Sequence, residues 1–133
     1  MATSVLKDML PKLNHSRYLY SSSTATVVTN GSQTLRSGTF EKAMDGTTLI
    51  ITFMCNGYVD SLSGGFYFYI DNESVASAVT TFSSTQNFII GQSIVENVSA
   101  GTHNYSIIAS TQGNNTLTIP AWTNNVFTLS EMQ

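Results

Sequence analysis

The chain has one cysteine, two prolines, one tryptophan and five basic residues in 133 positions. A single cysteine, Cys55, permits no intrachain disulfide. Flanked by Leu49–Ile50–Ile51–Thr52–Phe53–Met54, it reads as a buried thiol rather than a nucleophile. Lys7, Lys12, Arg17, Arg36 and Lys42 are the only cations. The 91 positions after Lys42 carry Asp45, Asp60, Asp71, Glu73, Glu96 and Glu131 with no lysine or arginine. A surface without cations over most of its extent cannot neutralise phosphates, which argues against nucleic acid and anionic membranes as partners. No apolar run approaches the ~20 residues that span a bilayer, so no membrane insertion is expected. Residues 1–13 are broken by Lys7, Asp8, Pro11 and Lys12 and lack the continuous apolar centre of a signal peptide. The sequence contains no G-x-S-x-G, H-E-x-x-H, C-x-x-C or G-x-x-x-x-G-K. With two histidines, His15 and His103, and eight acids, an enzyme is not expected, and neither a metal nor a cofactor is implied.

What the sequence does contain is hydroxyls and amides, 36 Ser and Thr and 11 Asn, alongside 41% hydrophobic residues. That composition suits β surface and turns around one core. Val5, Leu6, Met9, Leu10 and Leu13 fall at helical spacing, predicting a short amphipathic helix over residues 3–13 that needs a partner surface. Asn14 to Ser23 reads as a linker. From Thr24 the period becomes two, giving nine candidate strands: 24–29, 34–40, 47–55, 66–71, 75–82, 88–95, 103–110, 115–119 and 126–131. Between them lie Asn30–Gly31, Asp45–Gly46, Asn56–Gly57, Ser63–Gly64–Gly65, Asp71–Asn72, Ala100–Gly101 and Gly113–Asn114 as turn material. The domains are therefore 1–23, attachment helix and linker, and 24–133, an antiparallel β sandwich or barrel. Leu49–Cys55 and Phe88–Val95 are apolar on both faces, and edge strands are not blunted by lysine. A two-layer sandwich with wet outer faces requires neither, so a homo-oligomer is expected.

Ser99–Ala100–Gly101–Thr102–His103–Asn104–Tyr105–Ser106–Ile107–Ile108, the turn at Gly113–Asn115 and the closing Val126–Phe127–Thr128–Leu129–Ser130–Glu131–Met132 resemble the trimeric head domains of phage tail and head fibres. Phe40–Glu41–Lys42 followed by Gly46–Thr47–Thr48–Leu49–Ile50–Ile51 looks like their early strand pair. These domains share the jelly roll of the C1q and tumour-necrosis-factor group, and the likeness covers residues 24–133. It implies an all-β antiparallel jelly-roll sandwich forming a homotrimer, attached to a larger virion component through residues 1–23. The chain would then be a non-enzymatic virion protein assembled in the host cytoplasm. No long shaft or collagen-like repeat precedes the domain, which favours a short fibre tip, baseplate or capsid decoration. The alternatives are a C1q-like binding module of a cellular organism, or a small carbohydrate-active enzyme using Asp60, Asp71 and Glu73.

A host-surface saccharide would meet aromatic rings and amides. Trp122, Tyr58, Tyr67 and Tyr69 are the candidate stacking rings, with Asn124, Asn125, Asn56 and Asp60 near two of them in sequence. The Tyr67 and Tyr69 pair serves equally well as interface or sheet packing, whereas Trp122 sits in the loop Pro120–Asn125. Asp71–Asn72–Glu73 supplies oxygens that could take calcium, without the spacing of a dedicated loop.

Overall fold

A computed structural model describes residues 13–81 and 87–133. Among them ten strands form: β1 (His15–Tyr20), β2 (Thr26–Thr29), β3 (Ser32–Lys42), β4 (Thr48–Val59), β5 (Ser63–Ile70), β6 (Glu73–Thr81), β7 (Asn87–Val95), β8 (Gly101–Thr111), β9 (Thr116–Ile119) and β10 (Asn125–Met132). One sheet has six strands, β1-β10-β4-β9-β2 with β7 on the other flank of β4; the second has four, β3-β8-β5-β6. All pairings are antiparallel.

The registers reduce ten strands to a familiar eight. β1 and β2 face β10 and β9 in one unbroken alignment, from His15 opposite Ser130, through Tyr20 opposite Asn125 and Thr26 opposite Ile119, to Thr29 opposite Thr116. Each is therefore one strand interrupted at the same level, by residues 21–25 and 120–124 respectively. With β1/β2 and β9/β10 counted once, the sheets are four strands each, β1/β2–β9/β10–β4–β7 and β3–β8–β5–β6. This is jelly-roll connectivity.

Inward positions fill the space between the sheets. Leu49, Ile51, Phe53 and Cys55 of β4, Phe66 and Phe68 of β5, Ile107 and Ala109 of β8, and Phe127 and Leu129 of β10 are fully buried. Phe127 meets Phe53 edge-on at 5.8 Å and Phe66 at 5.9 Å, tying the layers together. The sheets converge where β7 passes β6: a Cβ on Gly91 would lie 2.8 Å from that of Ala78, so only glycine fits.

Nine strands correspond to those read from the period-two pattern, and three expectations are corrected. Asn14–Ser23 is not a linker, because His15–Tyr20 is a strand paired with β10. Its Tyr18 ring is buried and stacks on Tyr105 of the opposite sheet at 4.2 Å, with the Arg36 guanidinium 5.4 Å from the Tyr18 ring centroid. Asn56–Gly57 lies within β4 and Ser63–Gly64–Gly65 within β5, so neither is a turn. The expected helix and its Val5–Leu10 stripe lie outside the described residues; Leu13 has no regular structure.

Two charged groups are buried at one end of the sandwich. Glu131 is 3% exposed, and its carboxylate accepts from the Asn14 backbone N–H at 3.2 Å, Ala43 N–H at 2.8 Å, Met44 N–H at 3.1 Å and the Thr47 hydroxyl at 2.5 Å. Lys42 is 2% exposed, and its Nζ donates to the Met44 carbonyl at 2.5 Å. Burial pushes the Glu131 carboxyl up, but the four hydrogen bonds outweigh it and hold it below the ordinary carboxylate range.

Two outcomes follow from these contacts. Deleting residues 1–23 removes β1 with Tyr18 and should lower the melting midpoint by at least ~10 °C, and Tyr18→Ala alone should cost about 3 kcal/mol, both read by circular dichroism. A depressed carboxyl contributes stability that is present above its unfolded value and lost as pH falls through the folded one. Wild-type melting should therefore decline in acid below about pH 4.5, whereas Glu131→Gln, weakened by about 2 kcal/mol at neutral pH, should decline less steeply there.

Candidate functional site

Three surfaces have the residue chemistry to act on something outside the chain. The first is the outer face of the six-stranded sheet. Register places Leu19, Val126, Met54 and Ile90 side by side across β1, β10, β4 and β7. A parallel row holds His15, Ser130, Ile50 and Ile94, and Phe88 extends the apolar surface beyond Ile90. Leu19, Met54, Phe88, Ile90 and Ile94 are all exposed, Ile90 and Ile94 by 68% and 69%. Between the rows run Arg17, Thr128, Thr52 and Gln92, with the Thr52 and Thr128 hydroxyls bonded to each other. The outer face of the four-stranded sheet is different in kind, presenting Tyr67 and Tyr69 beside Ser77, Ser106 and Ile108. Two-sided apolar patterning in β4 and β7 thus resolves into a buried inner face and an uncovered outer one.

The second surface is the paired interruption at residues 21–25 and 120–124. The Trp122 backbone N–H donates to the Ser22 carbonyl at 2.8 Å, and Thr123 Oγ1 donates to the Pro120 carbonyl at 2.8 Å. Trp122 adopts φ +63°, a left-handed conformation that costs a bulky residue ~1 kcal/mol or more, yet its side chain is 74% exposed. Packing gains nothing from this placement. Beneath it, Asn125 is fully buried: Oδ1 accepts from the Asn56 N–H at 2.9 Å, and Nδ2 donates to the Tyr20 carbonyl at 3.1 Å. Asn125 is therefore no ligand contact, contrary to the sequence expectation; it fixes the loop to β1 and β4. The loop leaves β9 after Thr118 has paired with Tyr58 and rejoins where Val126 pairs with Met54, so Trp122 and exposed Asn124 flank the stretch of β4 holding half-exposed Tyr58. Tyr67 and Tyr69 belong to the other sheet and do not join this group.

The third is a cleft of about 470 Å³ between the turn after β5 and the loop after β7, lined by Ile70, Asp71, Glu73, Val95, Glu96 and His103 among others. His103 Nδ1 lies 2.6 Å from Asp71 Oδ2, and Nε2 lies 2.7 Å from the Ser99 carbonyl. Asp71 Oδ1 accepts from the Asn104 N–H at 3.0 Å, so both carboxylate oxygens are engaged within the protein. Asp71 and Asn72 form a turn with φ +49° and +68°. The hydrogen bond to His103 holds the Asp71 carboxyl below its usual range, reinforced by Asn104. The calcium reading of Asp71–Asn72–Glu73 meets this occupied carboxylate, and among the described residues no group of three His, Cys, Asp or Glu side chains is placed to hold a metal ion.

Other chemistry-bearing residues also have internal roles. Burial pushes the Cys55 thiol up, far from a reactive thiolate. His15 Nδ1 bonds Ser130 Oγ at 2.7 Å, and Asp60 Oδ1 accepts from the Thr116 N–H at 2.8 Å as a turn cap. Sequence reasoning missed the buried roles of Glu131 and Asn125, since charge and amide ordinarily signal surface; only the period-two face they share with inward Phe127 and Leu129 could have marked them.

No family model matches the chain, and no curated protein matches it. Among solved structures, Eiger TNF from S. frugiperda superposes over 91% of this chain and 93% of its own, with a TM-score of 0.57 at 10% identity. That likeness establishes a TNF-like jelly-roll fold. The CBM36-1 domain of a multidomain xylanase from the hindgut metagenome of Trinervitermes trinervoides is similar at TM-score 0.46 and 13% identity, covering 87% of this chain and 96% of that one. The structure of infectious bursal disease virus Gt strain gives 0.48 and 11%, over 90% of this chain and 38% of that chain.

The division of labour in the loop is testable by melting. Trp122→Ala should leave stability within about 0.5 kcal/mol of wild type, because the ring is exposed. Asn125→Ala should cost about 2–3 kcal/mol by orphaning the Asn56 N–H and the Tyr20 carbonyl.

Proposed function

We propose that the chain is a non-enzymatic structural protein of a phage virion, a fibre or baseplate tip or a capsid decoration, working as a homotrimer whose copies meet through the outer face of the six-stranded sheet. The carrying observation is the cluster of exposed Leu19, Met54, Ile90, Ile94 and Phe88 around buried Val126, an apolar surface of a kind monomeric soluble domains rarely leave in water. Jelly-roll topology supplies the framework, and the resemblance of residues 99–108 and 126–132 to fibre heads supplies the setting. A non-enzymatic role accords with the internal engagement of Cys55, His15 and His103 described above.

The two ends of the sandwich suit attachment and recognition. The described chain begins with Leu13 and Asn14, the latter beside Glu131 at the start of β4. The Trp122 loop lies at the level of Asn56, some eight residues on, roughly 26 Å along an extended strand. Residues 1–12 would attach to the particle, and Trp122, with Tyr58 and Asn124, would stack and hydrogen-bond a host-surface saccharide at the far end.

Light scattering at micromolar concentration should give about three times the chain mass of 14.4 kDa. The Ile90→Lys/Ile94→Lys double variant should be monomeric with an unchanged β spectrum. A monomeric wild type would overturn the trimer, and a trimer indifferent to these lysines would move the contact elsewhere. Trp122→Ala should weaken binding to host cells or glycans more than tenfold without disturbing the mass or the melt.

A further inference from the structure

His103 stands between two groups that can only accept hydrogen bonds. Asp71 Oδ2, 2.6 Å from Nδ1, is a carboxylate oxygen; the Ser99 oxygen, 2.7 Å from Nε2, is a backbone carbonyl. A neutral imidazole has one N–H and can satisfy one of them, whereas an imidazolium satisfies both. The ring is only 11% exposed, and Phe40 stacks on it at 5.6 Å and 27°, a geometry that favours a cationic ring.

We propose that His103 is a proton-controlled latch that ties the loop of residues 96–100 to the β5–β6 turn while both ring nitrogens carry protons, and releases the Ser99 side of that tie when one proton leaves. The proton retained is the one on Nδ1, because a carboxylate is a stronger acceptor than a carbonyl. Loss from Nε2 leaves its lone pair facing the Ser99 oxygen at 2.7 Å, and attraction becomes repulsion. The loop is held separately at Ala100, whose N–H donates to Asp45 Oδ1 at 2.7 Å, so the segment set free is Glu96–Ser99. Val98 in that segment is packed against the core, and it lines the cleft with Val75 and Val95. Release widens the cleft and uncovers those valines.

The charges around the ring set the direction of the switch. Asp71 from the β5–β6 turn raises the proton affinity of His103 most, burial opposes it, and the Ser99 carbonyl adds to the rise; Lys42 at the end of β3 opposes it. Glu73 and Glu96 also line the cleft and carry negative charge. The folded value lies above the ordinary 6.5, so the latch is closed at pH below that raised value and opens as pH climbs through it.

Nuclear magnetic resonance of the full chain from about pH 5 to about pH 9 tests this directly. His103 Nε2 should lose its proton with a midpoint above 6.5 while Nδ1 keeps its own, and the Val98 and Ser99 amide signals should move with the same midpoint. In His103→Gln those amide signals should stay flat across the range, in Asp71→Asn the midpoint should fall toward 6.5, and His15→Gln should change nothing in the loop. Val98 and Ser99 signals that ignore the His103 titration overturn the proposal. So does a ring that keeps its last proton on Nε2, because the Ser99 bond then survives deprotonation.

Discussion

Much of this fold hangs on one buried carboxylate. Glu131, on the strand that lies between β1 and β4, gathers the backbone of Asn14 ahead of β1 and the Ala43, Met44 and Thr47 donors of the β3–β4 connection. An ionised carboxyl taken out of water is tolerable only when its acceptor capacity is filled, and here four donors fill it. The same connection absorbs the second buried charge, since the ammonium of Lys42 ends on the Met44 carbonyl. Both charged groups thus bond to one short loop, which supplies three of the four donors to Glu131 and an acceptor for Lys42. Three segments distant in sequence are held at a single level of the sandwich as a consequence.

That arrangement was only partly legible beforehand. Alternation marks nine strands because half-buried antiparallel strands must put unlike residues on opposite faces. It fails at β1, where outward Leu19 breaks the contrast between faces and inward Tyr18 and Tyr20 alternate with polar residues in a serine-rich neighbourhood. Asn56–Gly57 and Gly64–Gly65 have turn composition but serve close approach: a Cβ on Gly57 would touch the Thr118 carbonyl at 3.3 Å, and one on Gly65 would overlap the Ala78 carbonyl at 2.2 Å. The loop bearing Trp122 was legible from Pro120 and the two asparagines after it. The role of Asn125 was not, because burial of an amide depends on a carbonyl of Tyr20 and an amide of Asn56 that only the register brings near. Tyr67 and Tyr69 illustrate the same limit, since alternation puts them on one face together but cannot say which sheet that face belongs to.

The outer faces of the two sheets divide the surface chemistry. One carries Leu19, Met54, Ile90 and Ile94 around a polar row with a single arginine; the other sets Ile108 and Val79 among tyrosine and serine hydroxyls. Composition averages over both and conceals the asymmetry. A chain poor in charge cannot keep both faces in water by repulsion, so the apolar face is the one whose covering by another copy would release most free energy.

The belt begun by Glu131 continues round that end of the sandwich. Asp45, in the loop that Glu131 holds, accepts from Ala100; the neighbouring Ser99 carbonyl meets His103; His103 meets Asp71; and Asp71 accepts from Asn104. The chain of contacts runs from the start of β1 through the β3–β4 connection and the β7–β8 loop to the β5–β6 turn, crossing from one sheet to the other. Its three titrating members fail in two opposite directions. Glu131 and Asp71 must stay ionised, which acid prevents, while His103 must stay protonated, which alkali prevents. The belt is complete only between those limits, so the end where Asn14 enters β1 is the more responsive to proton concentration. The far end, where Trp122 is held by backbone and amide hydrogen bonds among groups that do not titrate, keeps its shape across the same range. Within one sandwich, the placement of the charges gives one end hydrogen bonds that titrate and leaves the other held by groups that do not.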